Sequence, residues 1–203
     1  MTVYNWSEQT LNDFSQTDFF KKGTGISVGS FDGLHLGHRF LLNKLVEECK
    51  GAGIESGVIT FKRPLPALKH SDDYAGDIST LEERLRLLEE LGIQFTIVVD
   101  FDQTFASMKG VAFLDLLVQK LNMKLLAEGI DFRCGYKGST DTQAIKYWSM
   151  QSGVKTVFVD PVYYTQADGS VERVSSSYIR QLIQKGFMTT VRELLARDNK
   201  NIT

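Results

Sequence analysis

A ten-residue segment at positions 29–38, Gly-Ser-Phe-Asp-Gly-Leu-His-Leu-Gly-His, constrains the fold of this chain more than any other feature. An apolar run with the character of a buried strand comes before it at residues 24–30. An amphipathic segment, whose apolar residues recur at helical spacing, follows it at 36–51. Three glycines in the connection permit backbone geometry and close approaches that a β-carbon would obstruct. The segment therefore predicts a tight strand-to-helix turn.

The two histidines of this segment indicate an anion site. His35 and His38 are three residues apart at the predicted helix start, so both lie on one face. The N–H groups and the positive dipole end of a helix N-terminus attract phosphate. Two imidazoles added there can donate hydrogen bonds and stabilise charge that develops during group transfer. A zinc site is not expected, because no third ligand lies nearby in the sequence.

Short apolar runs alternate with amphipathic segments along the rest of the chain. This alternation is typical of parallel strands joined by crossover helices, so we expect a Rossmann-like α/β fold with a doubly wound parallel sheet of about five strands. In such sheets ligands bind at the carboxyl ends of the strands. The predicted strands are 24–30, 54–61, 95–99, 125–128 and 154–159, the predicted helices are 36–51, 80–91, 111–121, 141–151, 176–185 and 189–197, and a small β excursion pairs 162–165 with 171–174.

A run of serines at the start of a late helix provides a second phosphate-binding signal. Ser176 and Ser177 supply hydroxyl and N–H groups, and Arg180 lies one turn further along the same helix. On its own this pattern indicates only a good helix cap. It gains weight because it occurs together with the histidine turn.

Two further segments follow predicted strands and are less specific. Asp131 and Phe132 come after the fourth strand, where a carboxylate can bind a ribose hydroxyl, a ring nitrogen or a metal-bound water and where an ordinary turn is an equal alternative. Thr60 and Phe61 end the second strand, where the aromatic ring either stacks on a ligand or belongs to the core. The basic residues that follow, at the start of 62–66, are typical of a solvated loop.

Composition excludes several classes of partner. A net charge of −2 over 203 residues shows no basic excess, so nucleic acid is not an expected partner. Cys49 and Cys134 are the two cysteines and lack metal-ligand spacing, which fits a reducing compartment. The first 22 residues are polar without an apolar core segment, and no apolar run approaches the roughly 20 residues of a membrane span. We expect a cytoplasmic protein, and nothing in the sequence indicates an oligomeric state.

Taken together, these motifs resemble the FAD synthetase family, specifically the FMN adenylyltransferase module of bacterial bifunctional riboflavin kinase/FAD synthetases. The resemblance covers residues 24–198 in the family's order. The segment 29–38 is similar to the family's G-N-F-D-G-x-H-x-G-H, with Ser30 in place of Asn. The segment 129–135 is similar to G-x-[DN]-F-x-F-G, with Cys134 in place of Phe, and 175–180 is similar to S-S-T-x-[IV]-R, with Ser177 in place of Thr.

The resemblance implies an HxGH-type nucleotidyltransferase that uses Mg²⁺ with ATP and transfers AMP to flavin mononucleotide (FMN). It implies catalytic roles for His35, His38 and Arg180, and it does not assign the metal ligands. The residues that it places at ATP are Gly29, Ser30, Phe31, Gly33, His35, His38, Asp131, Ser176, Ser177 and Arg180. The residues that it places at the flavin are Thr60, Phe61, Asp131 and Phe132.

Two departures from the family bear on function. The family motif T-F-x-P-H-P after the second strand is replaced at 60–66 by Thr-Phe-Lys-Arg-Pro-Leu-Pro, without the histidine. That loop keeps open a related nucleotidyltransferase with another phosphorylated acceptor, such as nicotinamide mononucleotide, phosphopantetheine or glycerol phosphate, and a non-catalytic flavin- or nucleotide-binding protein is the second alternative. The riboflavin kinase module is also missing, so we expect a single domain over 1–203 with one activity, supplied with FMN from elsewhere.

Overall fold

The computed structural model describes residues 1–14, 18–63 and 76–196, and a parallel sheet forms its centre. The described strands are β1 (Thr2–Asn5), β2 (Thr24–Val28), β3 (Glu55–Phe61), β4 (Phe95–Val99), β5 (Met123–Gly129), β6 (Arg133–Cys134), β7 (Thr140–Asp141), β8 (Lys155–Val159), β9 (Tyr163–Thr165) and β10 (Val171–Arg173). Six of them form the sheet in the order β1-β4-β3-β2-β5-β8, and every neighbouring pair is parallel. The strands β6 and β7 form one short antiparallel pair, and β9 and β10 form another.

Helices cover both faces of the sheet, and its four inner strands, β4, β3, β2 and β5, are largely buried. The described helices are α1 (Glu8–Phe14), α2 (Leu36–Ala52), α3 (Leu81–Glu90), α4 (Gln103–Ser107), α5 (Gly110–Leu121), α6 (Thr142–Ser152), α7 (Ser176–Gln184) and α8 (Met188–Leu194). One core contains side chains of α1, α5 and α6, and a second contains those of α2 and α3. A third cluster joins α7 to α8. Among the helices in the described part of the chain, none combines the length and apolarity needed to span a membrane.

The predicted doubly wound fold is confirmed, including the β excursion and the C-terminal helices. The cap that the serine run predicts for α7 is present, because Ser175 Oγ accepts from Tyr178 N at 3.1 Å. Thr80 caps α3 in the same way, since its Oγ1 accepts from Glu83 N at 3.1 Å. The prediction of about five strands missed the edge strand β1. The helix α1 was not predicted either, and its Phe14 is buried.

Two segments between the predicted elements differ in outcome. The stretch 102–109, where neither a helix nor a strand was predicted, contains the short helix α4, which Asp102 caps by accepting from Phe105 N at 2.7 Å. The segment 62–77, where a loop is expected, falls mostly at 64–75, outside the described residues, as does His70.

A glycine in the central sheet provides space for an aromatic ring from the next strand. A β-carbon on Gly57 of β3 would lie 2.0 Å from Cζ of Phe95 on β4. The Phe95 ring is fully buried and cannot move aside easily, because Phe19 and Phe20 pack edge-on against it at centroid distances of 5.9 and 5.1 Å. The absence of a side chain at position 57 therefore permits this packing.

We expect Gly57→Ala to lower the free energy of unfolding by about 1–3 kcal/mol, the usual range for overpacking a core. Urea unfolding measures the loss. The matched control is Gly51→Ala on α2, where an added β-carbon meets nothing within 4 Å and where alanine favours the helix. Equal unfolding free energies for the two variants would contradict this account of the packing.

Candidate active site

The turn after β2 has an unusual backbone. Phe31 and Leu34 adopt left-handed conformations, with φ of 49° and 41°, on either side of Gly33 with φ of 79°. Such values are uncommon for residues with side chains and persist only where the surroundings enforce them. Phe31 is 2% exposed and Leu34 is fully buried, so core packing holds the turn in this form. His35 then returns to extended geometry and begins α2.

Asp32 anchors this turn to two other parts of the molecule. Its carboxylate accepts hydrogen bonds from Ile78 N at 3.1 Å and from Ser79 N at 2.9 Å, just before α3. It also forms a buried ion pair with Arg180 of α7. The Asp32 carbonyl accepts from the Ser176 hydroxyl at 3.1 Å. The turn is therefore bonded to the start of α7 and to the segment before α3.

The two histidines form a stacked pair. Their ring centroids are 3.6 Å apart with an interplanar angle of 17°, and the His38 ring packs edge-on against Phe31. Nδ1 of His35 accepts a hydrogen bond from His38 N at 3.3 Å and so caps α2. Because this nitrogen accepts, the proton of a neutral His35 resides on Nε2, where it can be donated to an anion.

Both imidazoles are neutral near neutral pH. Burial, together with the nearby Arg173 guanidinium, lowers the pKa of His35 from 6.5 to about 4. Burial also places the pKa of His38 well below its ordinary value, with smaller contributions from His35 and Arg84. The pair therefore offers hydrogen-bond donors, whereas the positive charge at this site comes from arginine and the helix terminus.

A cavity of about 280 Å³, here called the polar cavity, lies above the carboxyl ends of β2, β5 and β8. Arg173 of β10 lies at this cavity and pairs with Asp131 at 2.7 Å, with both side chains about half exposed. The predicted site residues that line the polar cavity are Gly29, Phe31, His35, His38, Asp131, Phe132 and Ser176.

A larger cavity of about 720 Å³, here called the aromatic cavity, adjoins the polar one. The two share Val28, Gly29 and Phe132 as lining residues. The predicted flavin residues Phe61 and Phe132 both line it. The further aromatic side chains in its wall are Phe101, Phe105, Phe113 and Tyr136.

The remaining predicted residues are not among those that line the two cavities. Ser177 is exposed on the first turn of α7. The Gly33 N–H donates to Ser79 Oγ at 2.8 Å, and Thr60 Oγ1 donates to the Ser30 carbonyl at 3.2 Å. Arg180, predicted to contact phosphate, is 8% exposed, and its Nε donates to the Gly76 carbonyl at 2.8 Å while its Nη2 pairs with Asp32. In this structure Arg180 therefore stabilises the turn through its ion pair with Asp32.

Three charged side chains at the candidate site escaped the sequence analysis. Arg84 of α3 is fully buried, and its Nη1 donates to the Ser30 and Phe61 carbonyls, each at 2.8 Å, which joins the ends of β2 and β3. Glu128 is 2% exposed at the end of β5 and lines the polar cavity, as does Arg173. The sequence contains two signals for these residues. Glu128 is an acidic residue within an apolar strand, and Arg84 lies on the same side of its helix as Leu87 and Leu88.

The buried pair in the turn yields a stability prediction. We expect Asp32→Asn to lower the free energy of unfolding by about 3 kcal/mol, because it removes the negative charge of a buried ion pair. Chemical denaturation measures the change. The control is Asp100→Asn, which removes a pair with Lys62 in which the side chains are 81% and 62% exposed, and which should cost less than about 1 kcal/mol. A loss for Asp32→Asn no greater than for the control would show that the pair does not stabilise the turn.

Comparisons with known proteins agree with this geometry. The family model for FAD synthetase matches residues 18–178. The bifunctional riboflavin kinase/FMN adenylyltransferase of Escherichia coli K12 is 32% identical over 176 residues, which cover 86% of this chain and 55% of that protein. A putative protein of the same description from Geobacillus thermodenitrificans is 32% identical over 164 residues, which cover 81% of this chain and 84% of that protein. The chain thus spans little more than half the length of the E. coli relative.

A solved structure shares the fold. The structure described as a macrolide-efflux protein from Streptococcus pneumoniae superimposes with a TM-score of 0.77 over 97% of this chain and 60% of that chain, at 23% identity. At this identity the likeness shows the fold alone. The family match covers most of the sequence, including the histidine turn and the start of α7. The chain belongs to the FAD synthetase family.

Proposed function

We propose that the protein is an FMN adenylyltransferase, which transfers AMP from ATP to FMN and forms FAD and pyrophosphate. One observation carries the assignment: a polar cavity with the histidine pair meets an aromatic cavity across the shared residues Val28, Gly29 and Phe132. The reaction needs two bound groups, a nucleotide and a flavin, with their phosphates adjacent. Two cavities of different chemistry that meet at one strand end suit that requirement.

The polar cavity suits the nucleotide. Nε2–H of His35 and the guanidinium of Arg173 supply donors for triphosphate oxygens. The N-terminus of α2 adds its positive dipole end at the same place. Asp131 remains a residue that orients either substrate, since it lies at this cavity beside Arg173.

The aromatic cavity suits the isoalloxazine ring, which is flat and largely apolar. Phe61 and Phe132, the predicted flavin residues, face this cavity and can contact the ring. This wall favours a flavin over an acceptor with an aliphatic tail, such as phosphopantetheine. Of the variant loop 62–66, Lys62 and Arg63 are exposed, and its remaining residues lie outside the described part of the chain.

The chemical step requires alignment more than proton transfer. An oxygen of the FMN phosphate attacks the α-phosphorus of ATP, the new P–O bond forms, and the bond to the β-phosphate breaks so that pyrophosphate leaves with the electron pair. The FMN phosphate is largely dianionic at neutral pH, because the second pKa of a phosphate monoester is about 6. It needs no general base, which agrees with neutral histidines that act as hydrogen-bond donors.

Arg180 enters this mechanism as a positioning residue. Its ion pair with Asp32 holds the turn from which the histidines project, at the start of α2. Arg180 therefore affects the binding of ATP indirectly, because it determines where His35 and His38 are placed.

A Mg²⁺ ion on the triphosphate fits the available side chains. In the described residues no group of three or more His, Cys, Asp or Glu side chains could hold a metal by itself. Asp131 and Asp160 line the polar cavity and offer carboxylate oxygens. Mg²⁺ is commonly held by one or two carboxylates together with substrate phosphates and water. Such an ion, when bound, would neutralise triphosphate charge.

The activity test uses purified protein with ATP, Mg²⁺ and either FMN or riboflavin, with flavins resolved by chromatography. We expect FAD from FMN and no product from riboflavin. A panel of other phosphorylated acceptors, including nicotinamide mononucleotide, serves as the control for acceptor identity. Folded protein that binds ATP but adenylates another acceptor would replace FMN in the proposal, and flavin binding without turnover would support a non-catalytic role.

A variant of His35 separates chemistry from helix capping. Asparagine is a preferred N-cap residue, so His35→Asn should unfold like the wild type, whereas it loses the imidazole Nε2–H. We expect its kcat for FAD formation to fall by about 10²–10³, as for other donors to a reacting oxyanion. His35→Ala removes both functions and is the comparison for stability. An unchanged kcat in His35→Asn would restrict this residue to capping α2.

A further inference from the structure

Glu128 occupies an unusual position between two strands of the sheet. In the backbone pairing of β2 with β5, Gly25 lies opposite Leu125 and Ile26 lies opposite Leu126, and the pairing ends at these residues. Beyond that point, the Val28 N–H donates to Oε1 of Glu128 at 2.6 Å. A side-chain oxygen thus takes the place that a backbone carbonyl of the neighbouring strand would otherwise fill.

This position is the point where the sheet reverses its winding. The chain runs from β2 to β3 on one side, whereas β5 and β8 lie on the other side of β2. Ligands of open α/β sheets bind in the crevice at such a point. Glu128 lines the polar cavity at this crevice, although it is 2% exposed.

The surroundings favour an uncharged carboxyl group. Burial raises the pKa of Glu128 well above its ordinary value, and the hydrogen bonds from the Val28 N–H and the Ser27 hydroxyl oppose this only in part. Among the described residues, the titratable or charged groups that line the same cavity or interact with Glu128 electrostatically are His35, His38, Asp131, Cys134, Asp160 and Arg173. The Arg173 guanidinium is already paired with Asp131. A carboxylate here would also repel a triphosphate.

We propose that Glu128 binds the nucleoside part of the nucleotide in the polar cavity as a neutral hydrogen-bond donor. Oε1 is held by the Val28 N–H, and the hydroxyl of the protonated group donates to a ring nitrogen or a ribose oxygen. The proposal rests on the proposed function, because it needs a nucleotide in this cavity. It adds a donor that neither the family motifs nor the phosphate contacts supply.

Nucleotide binding by calorimetry, without FMN, tests this contact. Glu128→Gln keeps an acceptor for Val28 and an N–H donor, so its Kd for ATP should stay within about twofold of the wild type. Glu128→Met removes both the acceptor and the donor. It should raise the Kd about tenfold, which is the effect expected from the loss of one hydrogen bond. The same ratio should appear with AMP, because the contact is to the nucleoside.

Several outcomes would overturn the proposal. A tenfold or greater loss of affinity in Glu128→Gln would show that the charged form is needed, and unchanged binding in Glu128→Met would show no contact. A loss confined to ATP would place the contact on the phosphates. Failure of the wild type to bind ATP at all would reject the proposed function instead, so the two failures are distinguishable.

Infrared difference spectra test the protonation state even if Glu128→Met fails to fold. The spectrum of the wild type minus that of Glu128→Gln at neutral pH should contain the carbonyl stretch of a protonated carboxyl group. A carboxylate band in its place would overturn the neutral form.

Discussion

The buried ion pair between Asp32 and Arg180 supports the geometry of the whole site. Asp32 lies in a turn whose backbone is left-handed at three of its residues, and the turn determines where the histidines begin α2. The pair joins this turn to α7, and further bonds join Asp32 to the segment before α3. Positioning of the donors therefore depends on contacts between parts of the chain that are far apart in sequence. A loss of this pair would affect stability and catalysis together.

The electrostatics of the site follow from burial. Desolvation keeps His35, His38 and Glu128 in their neutral forms, so hydrogen bonding is their main contribution. Positive charge is provided by Arg173 at the polar cavity, within a pair that an incoming anion can replace. Such a division suits the proposed transfer of AMP from ATP to FMN, because the donors are held in place before the two anionic substrates arrive.

Sequence reasoning succeeded where the signal is local. The strand-to-helix turn, the cap at the serine run of α7 and the apolar strands all depend on neighbouring residues, and the structure contains them. The edge strand β1 has only four residues and little burial, so no periodicity marks it. The partner of Arg180 lies 148 positions away, and no spacing rule connects the two. The serine-and-arginine motif therefore indicated an anion contact, whereas the structure pairs the arginine with a carboxylate of the chain itself.

The two cavities are built from different kinds of structure. Backbone at the ends of β2 and β5, together with the starts of α2 and α7, shapes the polar cavity, and changes there would disturb the sheet. Much of the wall of the aromatic cavity comes instead from connecting segments, namely the short helix α4 and residues 133–138 after β5. Connections tolerate substitution and insertion better than sheets do. Recognition of the acceptor can consequently diverge among descendants of this chain while the nucleotide chemistry is inherited unchanged.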